Sequence, residues 1–112
     1  MRKIFVTLLL LIIVFLFQFC FSSKKAAAPN VNYQTNIQPI IQSSCAPCHI
    51  AGKGNKKSLD NYLAARDNVE DILIRIQKLP TDKGFMPKMH EKLSEKDIAA
   101  FTEWKKAGLL EH

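Results

Sequence analysis

The sequence predicts a small all-α domain. Apolar residues recur three and four positions apart in several segments, which is the spacing of one face of a helix. No segment alternates apolar and polar residues, as a half-buried strand would. The chain has 112 residues, and its apolar N-terminal block leaves roughly 90 of them to fold in water, enough for one domain. A domain of that size buries little apolar surface and often needs a cofactor or a cross-link.

Residues 1–21 have the composition of an export signal or a membrane anchor. Arg2 and Lys3 precede the run 4–21, which is apolar at all but two positions. Cys20 ends this run without an evident partner, which favours lipidation at Cys20 after signal cleavage. An uncleaved membrane helix is the first alternative, because about 17–25 residues span a bilayer. A signal that is cleaved and discarded is the second. All three place the folded part outside the cytoplasm, on the periplasmic or outer-surface side.

The remaining chain divides into a tether, a domain and a short tail. Residues 22–31 contain a run of three alanines followed by Pro29 and Asn30, which indicates a short tether. Residues 32–109 form the predicted domain. Residues 110–112 resemble the remnant of an expression tag, so His112 carries no functional weight.

The first half of the domain contains two predicted helices. Residues 36–42 form the first helix, with Asn36 as N-cap and Pro39 in the first turn, where a missing N–H costs little. Residues 52–57 contain turn residues and form a loop. A short helix capped by Ser58 follows, and its apolar positions are Leu59, Tyr62 and Leu63.

The second half contains two more helices around an irregular segment. One amphipathic helix has its apolar positions at Val69, Ile72, Leu73, Ile76 and Leu79, and Pro80 ends it. Residues 81–93 are irregular. Ser94 and Asp97 resemble a capping box at the start of the last helix, whose apolar stripe is Ile98, Phe101 and Trp104. Gly108 stands where a glycine ends a helix.

The motif that carries the chemistry is Cys45-Ala46-Pro47-Cys48-His49. This C-x-x-C-H pattern is typical of covalent attachment of c-type haem. Two thiols three positions apart can each add to one vinyl group of the porphyrin, and the adjacent imidazole can then ligate the iron. A zinc site is disfavoured because adjacent Cys48 and His49 are poor joint ligands of a tetrahedral ion. A thioredoxin-like dithiol is also disfavoured, because it would need a βαβ pattern, which the sequence lacks.

The sixth ligand of the iron decides the kind of haem protein. A methionine there raises the reduction potential and suits electron transfer, whereas an open site would allow gas binding. Met86 is the favoured candidate, since Gly84 and Pro87 flank it in a turn-rich segment. Met89 and His90 lie three and four residues further on and stay as alternatives.

The segment 31–109 resembles the small monohaem cytochrome c domains of bacterial exported proteins and lipoproteins. The resemblance rests on the C-x-x-C-H motif, Met86-Pro87 and the last helix, and Lys88 replaces the second proline that usually follows the methionine. It implies a class I cytochrome c fold, with Ile40, Ile41, Phe101 and Trp104 where the first and last helices cross. It also implies one haem c bound through Cys45 and Cys48, with His49 and Met86 on the iron. Electron transfer needs no catalytic nucleophile or acid–base pair, so we expect an electron carrier and not an enzyme in its own right; a subunit of a larger oxidoreductase is the alternative.

The charge of the chain is basic, with a formal net charge of +6. Without Arg2 and Lys3, 14 of the 16 basic residues remain against 10 acidic ones. Six lysines are expected to rim the haem edge and to steer an acidic redox partner; they are Lys53, Lys56, Lys57, Lys83, Lys88 and Lys92. No recognition motif accompanies these residues, so nucleic acid is not expected as a partner. The rival functions are a haem-based gas sensor and, more remotely, a zinc or dithiol domain.

Overall fold

The computed structural model describes Ile4, Val6 and residues 30–112. A π-helical turn, Tyr33–Ile37, runs directly into α1 (Gln38–Ser44), and α2 (Tyr62–Asp67), α3 (Val69–Ile76) and α4 (Glu95–Lys106) follow. Within this part of the chain every element is helical, which confirms the all-α prediction there. None of the helices described is long and apolar enough to cross a membrane. Apart from Ile4 and Val6, the predicted signal or anchor and the lipidation site Cys20 lie outside the described residues.

The N-cap of the first helical segment lies four residues before the predicted one. Its N-cap is Asn32, whose side chain accepts a hydrogen bond from the Thr35 N–H at 2.9 Å. Asn36, the predicted cap, lies inside the segment and accepts from the Asn32 N–H at 3.0 Å. The predicted start was therefore wrong, because both asparagines act at this terminus and the earlier one carries the capping geometry.

The second helix also has a different cap from the predicted one. Asn61 caps α2 by accepting from the Ala64 N–H at 3.0 Å. Ser58 instead donates its hydroxyl hydrogen to the carboxylate of Asp60. Leu63 is 56% exposed and belongs to the solvent face of α2, which a purely apolar pattern does not reveal.

Helix α3 is shorter than its apolar pattern suggests. It ends at Ile76, and Leu79 is 60% exposed. After the helix, the carboxylate of Asp82 accepts from the Leu79 N–H at 3.0 Å, so a local turn replaces the last predicted helical turn. Proline at position 80 disfavours helical backbone at the residue before it.

Both ends of α4 follow the sequence closely. Ser94 caps the N-terminus by accepting from the Asp97 N–H at 3.1 Å, as predicted. At the other end Gly108 has φ +89°, and its N–H donates to the Lys105 carbonyl at 3.2 Å. The Leu109 N–H donates to the Trp104 carbonyl at 3.0 Å. This pair of bonds is a Schellman motif, which uses the left-handed glycine to satisfy the last carbonyls.

The core joins the first helical segment to α4. Among the residues that the structure describes, the largest side chains with less than 2% of their surface exposed are Ile37, Ile41, Phe101 and Trp104. The Tyr33 and Trp104 rings lie 6.0 Å apart between centroids, so the crossing of these elements uses the π-helical turn. Of the four residues predicted at the crossing, Ile41, Phe101 and Trp104 are buried, and Ile40 is partly buried beside them.

The C-terminal residues bond back to this crossing. The Leu110 carbonyl accepts from the Tyr33 N–H at 2.9 Å and from the Trp104 indole N–H at 2.8 Å. The Glu111 carbonyl accepts from the Gln34 N–H at 3.2 Å. The hydrogen-bonded fold thus extends two residues past the predicted boundary at 109. These bonds use main-chain carbonyls, which any residue can supply, and so they do not test whether residues 110–112 come from a tag. The tag assignment stays a prediction.

Candidate functional site

One cavity of about 410 Å³ brings the predicted haem-site residues together. Cys45, Cys48, His49 and Met86 all line it. Much of its wall is apolar side chain, contributed by Leu59, Ile72, Ile76 and Leu93. A flat apolar cofactor that needs two thiols, an imidazole and a thioether therefore meets each of these groups, and apolar walls, in one place.

The C-x-x-C-H segment is held by the helix that precedes it. Cys45 directly follows α1, and its N–H donates to the Ile41 carbonyl at 2.9 Å. The His49 N–H donates to the Cys45 carbonyl at 3.0 Å, which keeps the chain turning through the motif. Cys45 and Cys48 are not joined by a disulfide. Burial raises the pKa of the Cys45 thiol to about 11, so this thiol is neutral at pH 7.

The imidazole of His49 has a defined partner. Its Nδ1 lies 2.7 Å from the carbonyl oxygen of Lys57. A carbonyl oxygen only accepts, so Nδ1 carries the hydrogen and Nε2 of the neutral ring keeps a free lone pair. That tautomer binds a metal through Nε2, and such outer partners orient ligating histidines. The sequence did not reveal this partner, because a main-chain carbonyl has no side-chain signature.

The loop between His49 and α2 is folded tightly against the motif. The Cys48 carbonyl accepts from the Lys56 N–H at 3.2 Å, and the His49 carbonyl accepts from the Leu59 N–H at 2.9 Å. A Cβ on Gly54 would overlap the main chain at Cys48, so glycine is required by close approach. These contacts bring the Lys57 carbonyl to the imidazole.

Asp60 ties the two ends of this loop together. Its carboxylate accepts from the Ser58 hydroxyl and from the Ala51 N–H at 3.1 Å. The Ser58 bond, and after it the Ala51 bond, lowers the pKa of Asp60. The carboxylate form is the one that holds the loop.

Met86 reaches the cavity from a loop anchored to α3. Its N–H donates to the Arg75 carbonyl at 3.3 Å. Phe85 is only 5% exposed, Pro87 is buried, and Met86 between them is half-buried. The preceding Gly84 has φ +87°, a conformation that side chains rarely adopt. Buried neighbours on both sides thus hold the Met86 side chain at the cavity.

The two alternative ligands are placed differently. Met89 is 77% exposed, and His90 has its Nε2 2.8 Å from the Ala46 carbonyl oxygen. Both residues border the cavity. Of the three candidates, Met86 is the one held by buried neighbours.

Polar side chains form one border of the cavity. Lys57 Nζ donates to Asn68 Oδ1 at 2.6 Å, and Arg75 Nε donates to Asp71 Oδ2 at 2.7 Å. The hydrogen bond from Arg75 lowers the pKa of Asp71. Of the six lysines expected at the rim, three line the cavity; these are Lys56, Lys57 and Lys88.

Comparison with known proteins supports a single family. Residues 33–104 match the family described as cytochrome c oxidase, cbb3-type, subunit III. A curated relative, the chloroplastic cytochrome c6 of Chlamydomonas reinhardtii, is 30% identical over an alignment of 73 positions that covers 58% of this chain and 47% of the relative. The chain thus spans about half the length of the curated relative it matches. No solved structure matches the chain significantly.

Proposed function

The chain belongs to the family of cbb3-type cytochrome c oxidase subunit III, and we propose that it is a monohaem cytochrome c that carries single electrons outside the cytoplasm. Family membership supports an electron-transfer role as a cytochrome of the c type. The observation that carries the finer proposal is the His49–Lys57 hydrogen bond. It leaves Nε2 of the motif's histidine available as a ligand, and His49 lines a cavity that Cys45, Cys48 and Met86 also line.

Cys45 and Cys48 would hold the cofactor covalently. Each thiol would add across the double bond of one vinyl group, the sulfur bonding to one carbon and the hydrogen to the other. The addition consumes no external oxidant or reductant. The sequence contains one C-x-x-C-H motif, which supports one haem c in the chain.

His49 and Met86 would be the two side chains that ligate the iron. When bound, the haem iron supplies the one-electron chemistry by changing between its ferric and ferrous states. The Lys57 carbonyl fixes the ring orientation of His49. The thioether of Met86 is neutral and favours the ferrous state, which raises the reduction potential.

The charged residues at the rim suit a protein partner. Lys56, Lys57 and Lys88 border the cavity, and the pocket edge is where a partner would approach. A basic rim attracts an acidic docking surface and raises the association rate, with an effect that salt weakens. We propose redox proteins with acidic docking surfaces as partners, and no nucleic acid.

The N-terminal residues would keep the domain at a membrane. Residues 1–21 supply the export signal or anchor and Cys20 the lipidation site, with residues 22–31 as tether. Mass spectrometry of the native protein tests this part: a diacylglyceryl group on Cys20 supports lipidation. An intact Met1 would indicate a membrane helix, and a start after Cys20 a plain cleaved signal.

The central experiment is optical. The protein is produced in a host with the haem-attachment machinery, and its pyridine haemochrome spectrum is recorded beside that of a Cys45→Ser, Cys48→Ser double variant. Covalent haem in the wild type and none in the double variant supports the proposal. A colourless wild type would contradict it, and immediate carbon monoxide binding by the ferrous protein at neutral pH would indicate a gas-binding module instead.

A further inference from the structure

A hydrogen bond from one side chain joins the loop that carries Met86 to the C-x-x-C-H segment. Nε2 of His90 lies 2.8 Å from the carbonyl oxygen of Ala46. Ala46 stands between the two motif cysteines, and His90 follows Met86 by four residues. Because a carbonyl oxygen only accepts, the ring donates from Nε2. This bond joins two segments that both line the cavity.

The loop has few other attachments near His90. Residues 88–91 are exposed, and the buried side chains on either side of them are Pro87 and Leu93. Within residues 30–112, the bond to Ala46 is the one hydrogen bond made by residues 87–93. The bond from the Met86 N–H to the Arg75 carbonyl, 3.3 Å long, attaches the other end of the loop to α3.

From these contacts we propose that His90 is a positioning residue, which closes the Met86 loop against the attachment segment and so slows displacement of Met86 from the iron. The inference rests on the proposed function, since it requires Met86 as a ligand. His90 does not touch the iron in this role. It limits how far residues 86–90 can swing outward, because Met86 and the Ala46 contact are only four residues apart.

The variant that tests this role is His90→Phe, which keeps a ring but removes the donor. We expect imidazole to replace Met86 on the ferric protein about fivefold faster, the factor that corresponds to one net hydrogen bond of about 1 kcal/mol. We also expect faster amide hydrogen exchange over residues 87–92. His90→Gln keeps a donor and is expected to stay near the wild type.

Glu91→Gln is the matched control, because Glu91 is an exposed neighbour that does not border the cavity. It is expected to leave both the imidazole rate and hydrogen exchange unchanged. The inference would be overturned if imidazole replaced Met86 at the same rate in the wild type, His90→Phe and Glu91→Gln. An equal acceleration in both variants would also overturn it.

A second measurement needs no variant. Nitrogen NMR of the ring in the wild-type holoprotein is expected to show the hydrogen on Nε2 of His90, and a ring protonated on Nδ1 alone would overturn the inference even if His90→Phe fails to fold. Failure of the proposed function is separately visible. If the wild type has no methionine–iron charge-transfer band in the near infrared, or if Met86→Ala retains it, then Met86 is not the ligand.

Discussion

The carbonyl oxygen of Lys57 lies 2.7 Å from Nδ1 of His49, eight residues earlier in the chain. The loop that makes this contact can close because Gly54 has no Cβ that would overlap the main chain of Cys48. The Asp60 carboxylate also holds the loop closed by accepting from the Ala51 N–H. Metal affinity and potential depend on such outer contacts. The loop 50–60 is therefore as much a part of the site as the motif itself.

Replacing Met86 tests the sixth ligand. We expect Met86→Ala to abolish the near-infrared methionine–iron band and to lower the reduction potential, because the thioether stabilises ferrous iron. Met89→Ala is the matched control, since Met89 is 77% exposed, and it is expected to keep the band. Loss of the band in the Met89 variant and its retention in the Met86 variant would reverse the assignment.

Replacing Gly54 tests the close approach of the loop. Gly54→Ala places a Cβ against the Cys48 main chain, and the forced shift is expected to lower the free energy of unfolding by about 1–3 kcal/mol and to reduce haem incorporation. Denaturant unfolding and the haem-to-protein absorbance ratio measure both effects.

Gly52→Asn is the control for Gly54. Gly52 has φ +72° and no atom within 4 Å of an added Cβ, and asparagine tolerates this backbone conformation. We expect near wild-type haem incorporation in this variant. Equal losses in the two variants would show that loop strain in general, rather than the contact with Cys48, limits the site.

Acid is expected to weaken the loop through Asp60. The pKa of this carboxyl is lowered in the folded chain, first by the Ser58 hydroxyl and then by the Ala51 N–H. Its contribution to stability is therefore fully present above its unfolded pKa, about 3.9, and is lost as pH falls through the folded pKa.

Asp60→Asn tests this dependence. The difference in denaturation midpoint between wild type and Asp60→Asn is expected to be largest at neutral pH and to shrink below about pH 4. Asp67→Asn is a suitable control, since Asp67 is an exposed residue outside the loop. A difference for Asp60→Asn that is independent of pH between 2 and 7 would mean that its charge does not hold the loop.

In the haem-free chain, we expect the thiol of Cys45 to be protected from alkylation. Burial raises the pKa of this thiol to about 11, above the unfolded value of about 8.5. The resulting stabilisation is fully present below about pH 8.5 and is lost as pH rises toward the folded pKa. In a Cys20→Ser, Cys48→Ser chain, iodoacetamide should react with Cys45 slowly until pH approaches that value.

The same Cys45 experiment in urea supplies its control. Once unfolded, the thiol should react with an inflection near pH 8.5, because burial no longer opposes the thiolate. An inflection near 8.5 in the folded chain as well would show that Cys45 is not buried without haem.

The haem-site prediction could be made from the sequence because the motif behind it is local. Cys45, Cys48 and His49 occupy five consecutive positions, and covalent attachment needs no more than that spacing. The capping of α4 by Ser94 and its end at Gly108 were likewise predictable, since each depends on hydrogen bonds within a few residues. The predictions that Asn36 caps the first helix and that α3 extends to Leu79 were wrong. Local hydrogen bonds to the side chains of Asn32 and Asp82 determine these helix ends instead.

Contacts between distant segments were decided by the tertiary structure. The hydrogen-bond acceptor of His49 is a main-chain carbonyl. Any residue at position 57 that preserves the loop conformation would supply the same acceptor. The bond between His90 and Ala46 spans 44 residues, a separation that no local pattern records. Side-chain types and their spacing in the sequence predict what this chain can bind. Folding decides which main-chain carbonyls lie beside His49 and His90. The sequence does not reveal them, because every residue carries the same carbonyl group and only its position in the fold distinguishes it.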